Sequence, residues 1–403
     1  MNVIGVIGGG TMGAGIAQVA LTAGEQVHLL EADRSLAERA AAGIRAQIDR
    51  LADKGRITAA QAAADKGRLV VAGGPRDLSG CDVVIEAVVE DLEIKATVFR
   101  QVLAACRPDA ILASNTSSLS ITALGRAAGA AARLCGMHFF NPAPAMPLVE
   151  VVAGRESGPA VVDRIFDLAG RWGKTAVRAA DTPGFIVNRV ARPYYLESLR
   201  ILEERLASCD GLDALMKSGG GFRMGPFELM DLIGIDVNYA VTCSVYEQSG
   251  RPARFRPSPI QAQLVERGRL GRKTGVGMYR YEGGSATPAW TVEVQSAAPA
   301  PAVAAAWKDL GAAAALNLGS PQGVLFGRVV CALMNEASLA AEEGVATEAD
   351  IDLAMQRGTN YPRGLLAWAA AWGHDRVGAF LVALDTAAED DRFKPAARFR
   401  HGA

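Results

Sequence analysis

The chain has 403 residues, half of them apolar, and its basic and acidic side chains nearly cancel to a formal net charge of -1. That length supports two or three domains with large cores, and the neutral balance argues against a general nucleic-acid or membrane-surface binder. The cysteines (Cys81, Cys106, Cys135, Cys209, Cys243, Cys331) form no C-x-x-C pair and no metal-ligand spacing, so they read as reduced thiols of a cytoplasmic protein with no metal site.

The first element is a strand, "NVIGVI" (2–7), apolar and β-branched as a strand buried on both faces should be. The chain enters it without a signal-peptide pattern, and no uninterrupted apolar run suits a membrane span. "GGGTMG" (8–13) makes a turn, "AGIAQVALTAG" (14–24) has helical spacing and stops at Gly24, and "QVHLLE" (26–31) is a second strand. Gly8, Gly10 and Gly13 therefore give G-x-G-x-x-G between a strand and a helix, with Thr11 and Met12 opening that helix. Such glycines permit a tight turn and close approach of a pyrophosphate to the helix N-terminus. Glu31 ends the second strand eighteen positions after Gly13, where an acid can bind the adenine-ribose hydroxyls and repel a 2′-phosphate. NAD is therefore favoured over NADP, although Arg34 nearby works the other way.

An Ala- and charge-rich helical stretch fills about 34–66, broken near Lys54-Gly55. Short apolar strands then recur with helices between them: "RLVVAG" (68–73), "CDVVIEAV" (81–88), "AILASN" (110–115) and "RLCGMHFF" (133–140). The alternation predicts a mostly parallel, right-handed α/β sheet of Rossmann type, placed at residues 1–182. Strand C-terminal ends face the ligand crevice in such a sheet. "ASNTSSL" (113–119) and "GMHFFNP" (136–142) would bring Ser117, His138 and Asn141 to one rim, and "LVEVV" (148–152) could set Glu150 beside His138.

That grouping suits oxidation of a secondary alcohol by NAD. A base must remove the hydroxyl proton as hydride leaves carbon, and a histidine titrates near working pH. A carboxylate behind the ring fixes its tautomer and stabilises the imidazolium. Ser117 and Asn188 would bond the substrate oxygens. The other histidines read as ordinary: His28 within a strand, His374 in a helical region, His401 in the tail.

From "DTPGFIVNRV" (181–190) onward strand signals fade and helical patterns dominate. This half repeats internally. Sliding 184–236 onto 323–375 at a constant offset of 139 aligns identical residues at Gly184, Arg189, Val190, Glu197, Glu203, Glu204, Ala207, Asp213, Met216, Gly219, Gly225, Gly234 and Asp236. Asn188 meets Gly327, so chemistry that needs the asparagine belongs to the first copy. Two helical copies are expected, at 183–282 and 319–403. The low-complexity "AAPAPAVAAA" (297–306) lies in a linker between them, at 283–318.

The motifs "VIGGGTMGAGIAQVA", "VIEAVVEDLEIK", "ASNTSSLSIT", "GMHFFNPAPAMPLVEVV", "DTPGFIVNRV", "MGPFELMDLIG" and "GRKTGVGMY", in this order over about 3–281, resemble those of the L-3-hydroxyacyl-CoA dehydrogenases. The resemblance implies reversible, NAD-dependent oxidation of a (3S)-3-hydroxyacyl-CoA to the 3-oxoacyl-CoA. It puts the catalytic pair on His138 and Glu150, with Ser117 and Asn188 orienting the substrate. It implies NAD contacts from the glycine turn, Glu31, Glu90, Lys95, Ser117, Asn141 and Lys273. Lys54 falls on a CoA-contacting lysine, whereas Gln47 stands where some members carry a serine. Tandem C-terminal domains occur in relatives such as 3-hydroxybutyryl-CoA and 3-hydroxyadipyl-CoA dehydrogenases, so the second copy could pack on the first as a partner subunit would. A monomer with an internal pseudo-dimer and a homodimer both stay open, as do acyl-chain length and pathway. Two other readings are a dehydrogenase of a free hydroxy or sugar acid, like the L-gulonate dehydrogenases of this fold, and a non-catalytic NAD-binding protein.

Overall fold

The computed structural model describes residues 1–295 and 297–400; His401 lies outside the described residues. The chain divides into two compact units, Met1–Phe185 and Ile186–Ala403.

Eight strands make one sheet in the first unit: β1 (Val3–Ile7), β2 (Gln26–Leu30), β3 (Leu69–Val71), β4 (Val83–Glu86), β5 (Ile111–Ser114), β6 (Leu134–Phe139), β7 (Leu148–Ala153) and β8 (Thr175–Ala180). Their order is β3-β2-β1-β4-β5-β6-β7-β8. Every neighbouring pair is parallel except β6 and β7. The reversal has a simple cause: the segment between β6 and β7 is too short to hold a crossover helix. Helices α1 (Thr11–Thr22), α2 (Arg34–Asp53), α3 (Ala59–Gly67), α4 (Leu92–Ala105), α5 (Ile121–Ala128) and α6 (Pro159–Arg171) complete the unit. Side chains of Asp33, Thr58, Asp91 and Ser120 cap α2, α3, α4 and α5 by accepting first-turn N–H groups. Ile4 and Val6 of β1 are fully buried, as expected for a central strand covered on both faces. The chain steps from β3, at one edge, across β1 to β4, so a ligand crevice opens at the C-terminal ends of β1 and β4.

The second unit is nearly all helix: α7 (Val187–Val190), α8 (Arg192–Glu203), α9 (Cys209–Gly220), α10 (Pro226–Ile233), α11 (Ile235–Gln248) and α12 (Pro259–Glu266), then the hairpin β9 (Tyr279–Glu282) and β10 (Ser285–Pro288). After α13 (Pro301–Ala313) come α14 (Gln322–Glu342), α15 (Glu348–Gly358), α16 (Leu365–Trp372) and α17 (His374–Ala388). The span read as a linker thus holds a helix, α13, because Val303, Trp307 and Leu310 recur on one face and are buried. Glycine at 323 and 327 admits the Trp307 ring, since a Cβ at either would come within 2.4 Å of it. Helix α14 has the length and apolarity to cross a membrane, but 89% of its apolar window is buried inside the unit. It is a core helix. Its counterpart in the first copy is broken into α7 and α8 just before Pro193, which lacks the N–H a continuous helix needs.

The repeat is visible in the packing. Arg189 donates to Glu336 (2.7 Å) and Glu343 (2.7 Å), while Arg328 donates to Glu197 (2.9 Å) and Glu204 (2.6 Å). Each residue in the first set is the 139-offset counterpart of one in the second, so the broken helix α7–α8 and the continuous helix α14, with the residues that end them, exchange the same ion pairs in both directions. Reciprocity of this kind is what a two-fold interface between identical surfaces requires. Asp213 caps α10 through the N–H groups of Phe227 and Glu228, and Asp352 caps α16 through those of Leu366 and Ala367, again at the same offset.

Candidate active site

The glycine turn is built by exclusion. A Cβ on Gly13 would lie 1.8 Å from the Gly8 carbonyl oxygen, and one on Gly8, whose φ is +99°, would lie 2.6 Å from that of Ala87. Gly10, by contrast, faces open space. It is also the N-cap of α1 and supplies no side-chain acceptor, so the helix begins at Thr11 and Met12 with uncapped N–H groups. Glu31 follows β2 directly, and its Oε1 accepts the Gly9 N–H at 2.5 Å, which holds the carboxylate against the turn. Close backbone approach, an uncapped helix N-terminus and an acid at the end of β2 fit a dinucleotide.

Across the switch point, β4 ends in Glu86, which is fully buried. Its Oε1 accepts from Lys95 Nζ (2.6 Å) and its Oε2 from Ser114 Oγ (2.7 Å). Lys95 is buried as well and reaches Glu90 at 3.2 Å. Glu90 Oε1 then accepts from Thr116 Oγ1 (2.7 Å), the Ser117 N–H (2.9 Å) and Ser118 Oγ (2.9 Å). Burial pushes the Glu90 carboxyl up, but Lys95 and these donors outweigh burial and hold it below the usual carboxylate range. The loop that presents Ser117 is therefore tied by one carboxylate to α4.

His138 and Glu150 face each other in register on the antiparallel pair β6–β7. His138 Nδ1 and Glu150 Oε2 are 2.7 Å apart, with the carboxylate fully buried and the histidine 5% exposed. A carboxylate in this position accepts from Nδ1–H, and in the neutral imidazole that tautomer leaves the lone pair on Nε2. Phe140 lies 4.6 Å from the imidazole centroid and Phe185 5.8 Å, edge-on. Phe185 is buried with φ of +49°, a left-handed backbone that a bulky residue adopts only under constraint. Phe139 points the other way, as strand alternation demands, and packs on Trp172. Asn115 Oδ1 accepts the Phe139 N–H at 2.9 Å and so joins the end of β5 to β6 beside the histidine. Lys174 Nζ donates to the carbonyls of Ala143 (2.6 Å) and Met146 (2.8 Å), clamping the loop that begins at Asn141. Burial pushes the Lys174 ammonium down.

The first unit thus carries Ser117 in the loop after β5, His138 near the end of β6, Asn141 just past it and Glu150 within β7, all on one sheet. Asn141 is exposed at the end of β6, and Lys54 is exposed at the C-terminus of α2. In the second unit Asn188 lies in α7, where its carbonyl accepts from Arg192 Nε at 2.7 Å. Lys273 pairs there with Asp236 at 2.6 Å. Sequence reasoning missed Glu86, Asn115, Lys174, Phe185 and Arg192. Glu86 carried a signal, since an acid closing the apolar strand "VVIE" must find a partner or lose free energy; the others depend on long-range contacts.

Residues 3–182 match the family described as "3-hydroxyacyl-CoA dehydrogenase, NAD binding domain". Residues 184–281 and again 323–401 match its C-terminal domain. The 3-hydroxyadipyl-CoA dehydrogenase of Escherichia coli (strain K12) is 38% identical over all of this chain and 98% of its own length. A crystal structure of 3-hydroxybutyryl-CoA dehydrogenase from Escherichia coli K12 covers 99% of this chain and 97% of that one with a TM-score of 0.89 at 37% identity. That of (S)-3-hydroxybutyryl-CoA dehydrogenase from Ralstonia eutropha covers 70% of this chain and 99% of that one, with a TM-score of 0.68 at 36% identity.

Proposed function

The chain belongs to the 3-hydroxyacyl-CoA dehydrogenase family, and from that premise we propose that His138 is the general base of its reaction, held by Glu150, with Ser117 and Asn188 orienting the substrate. The enzyme is an oxidoreductase that acts on a CH–OH group with NAD. The glycine turn and Glu31 would hold NAD⁺, which would supply the hydride acceptor when bound. His138 Nε2 takes the hydroxyl proton as the carbon–hydrogen bond breaks, and returns it when the reaction runs backwards. Glu150 keeps the proton on Nδ1 and stabilises the imidazolium that forms. Phe140 and Phe185 shield the ring from water, which strengthens that pairing. The observation that carries this reading is the buried 2.7 Å contact between Nδ1 and Glu150.

The substrate we propose is a (3S)-3-hydroxyacyl-CoA. The full-length likeness to a 3-hydroxyadipyl-CoA dehydrogenase makes a six-carbon dicarboxylyl thioester the first chain to compare with 3-hydroxybutyryl-CoA. The deciding measurement is NADH oxidation with acetoacetyl-CoA beside free acetoacetate at equal concentration. Turnover of the thioester alone is the expected result. Turnover of the free acid would move the protein to the sugar-acid reading, and turnover of neither, nor of 3-oxoadipyl-CoA, would overturn the assignment.

A further inference from the structure

The two helical copies differ at a place the dehydrogenase reaction does not use. In the first copy Asp213 accepts from the N–H groups of Phe227 (2.9 Å) and Glu228 (3.0 Å), and also from the Tyr279 hydroxyl of β9 (2.6 Å). Asp231, at the other end of α10, accepts from the N–H groups of Met278 and Tyr279, both at 2.9 Å, and from the Tyr281 hydroxyl. These bonds pin the β9–β10 hairpin over α9 and α10. Cys209, Asp213, Phe227 and Asp231 beneath it are each at most 1% exposed.

The second copy keeps the floor of this arrangement, and no strand pair covers it among the described residues. Asp352 still caps α16 through the N–H groups of Leu366 (2.8 Å) and Ala367 (3.0 Å). Glycine recurs at 225 and 364 because a Cβ at either would fall 2.3 or 2.4 Å from the capping aspartate. Ala370, however, stands at the 139-offset position of Asp231, Glu348 at that of Cys209, and His374 at that of Ile235. A cavity of about 240 Å³ opens there, lined by Glu348, Asp352, Leu366, Ala370, His374 and Arg398, with Ala349 and Ala367. Two of its nitrogens, His374 Nε2 and Arg398 Nε, are buried without a hydrogen-bond partner. Buried polar atoms are otherwise almost always paired. Glu348 is engaged by Arg398 at 2.6 Å, and Asp352 by the helix it caps, which leaves no grouping suited to a metal ion among the described residues.

We propose that this cavity binds a small hydroxyaryl molecule, its ring taking the place on the second copy that the Tyr279 ring takes on the first and its hydroxyl donating to Asp352. Leu366 and the alanines give the ring an apolar seat. The volume is below that of a drug-sized pocket and suits a single substituted ring. Glu348, His374 and Arg398 replace the apolar surroundings of the first copy with a polar rim, so a second polar substituent on the ring is matched by the unpaired nitrogens of His374 and Arg398. The site belongs to the second helical copy alone and does not depend on how the dehydrogenase reaction is assigned.

The test uses the full chain and 4-fluorophenol, followed by fluorine NMR and by the melting temperature. Saturable binding with Kd of about 0.1–1 mM is expected for a ligand of this size, with the melting temperature rising as ligand is added. Fluorobenzene, which cannot donate to Asp352, should bind at least about tenfold more weakly. Ala370→Trp and, independently, Ala349→Leu should fill the cavity and weaken 4-fluorophenol at least about tenfold while each variant melts cooperatively. Absence of saturable binding below about 10 mM, equal affinity for fluorobenzene, or undiminished binding in both filled variants would each overturn the proposal.

Discussion

Neutralising Glu336 tests whether the two helical copies are locked together by their reciprocal ion pairs. Glu336 is 1% exposed and accepts from Arg189 Nε and Arg254 Nε, both at 2.7 Å. Glu336→Gln therefore leaves two guanidinium groups short of a counter-charge, with Arg189 itself only 5% exposed. Removing one partner of a buried pair costs about 3–5 kcal/mol. The lower end applies, because Arg189 keeps Glu343, whose side chain is 51% exposed and so heavily screened. For a unit of this size about 3 kcal/mol corresponds to a fall in melting temperature of roughly 6–12 °C. Glu197→Gln is the internal control, since Glu197 holds Arg328 at 2.9 Å while the exposed Glu204 stays behind. Its loss should match within about 1 kcal/mol, the scatter expected between equivalent sites. Differential scanning calorimetry of both variants is the assay. Shifts under about 2 °C in both would show that the pairs do little more than break even against their desolvation, and the lock would have to be assigned to apolar packing instead.

Other outcomes follow from the site. His138→Ala and Glu150→Gln should each lower kcat by roughly 10²–10⁴-fold while NAD affinity, read by fluorescence titration, stays within error; unchanged turnover in both would remove the base assignment. Glu31→Ala should weaken NAD binding and reduce the preference for NAD over NADP, with the rate at saturating cofactor unchanged; an unaltered Kd would place the ribose contact elsewhere. Phe185→Ala removes one wall of the imidazole but keeps a side chain at φ +49°, so kcat should fall with the KM for NADH unmoved. Phe185→Gly should be the more stable of the two by about 1 kcal/mol, since glycine relieves the left-handed strain; the reverse order in thermal unfolding would refute the strain.

Much of this was legible in the sequence because the signals are local. The strand–glycine–helix start, the β/α alternation and the two helical copies each arise from spacing within a few dozen residues, and the sheet and helices follow them. The pairing of His138 with Glu150 was legible only as a possibility, from the two apolar strands that carry them and from the family resemblance; the register that puts the two side chains opposite each other is seen in the structure. What was not legible depends on contacts distant in sequence. Nothing near Phe185 announces that its backbone must turn left-handed to reach the imidazole, and Lys95 reads as any surface lysine until Glu86 and Glu90 surround it. The helix α13 was hidden by its own composition, since alanine and proline repeats suggest a flexible chain. Only Trp307, fitting against Gly323 and Gly327, shows that the segment has a place to pack.

The repeat also separates residues kept for the fold from residues kept for chemistry. Positions that hold the helical unit together recur at the 139-residue offset: Arg189 and Arg328, Glu197 and Glu336, Asp213 and Asp352. Arg192 does not recur. It is 3% exposed, donates to the carbonyls of Asn188 (2.7 Å) and Asn238 (3.2 Å) and to Thr242 Oγ1 (3.1 Å), and pairs with no carboxylate among the described residues. Its counterpart is Cys331, and those of Asn238 and Thr242 are Val377 and Leu381, all fully buried and apolar or nearly so. The second copy therefore demonstrates that this fold is stable with an apolar filling at that place. A buried cation without a counter-ion costs several kcal/mol relative to such a filling, and the first copy bears that cost one helical turn from Asn188, the residue we propose to orient the substrate, where the second copy has Gly327. The fold alone does not require Arg192 and its neighbours; the proposed role of Asn188 gives them a reason, since Arg192 holds the Asn188 carbonyl in α7.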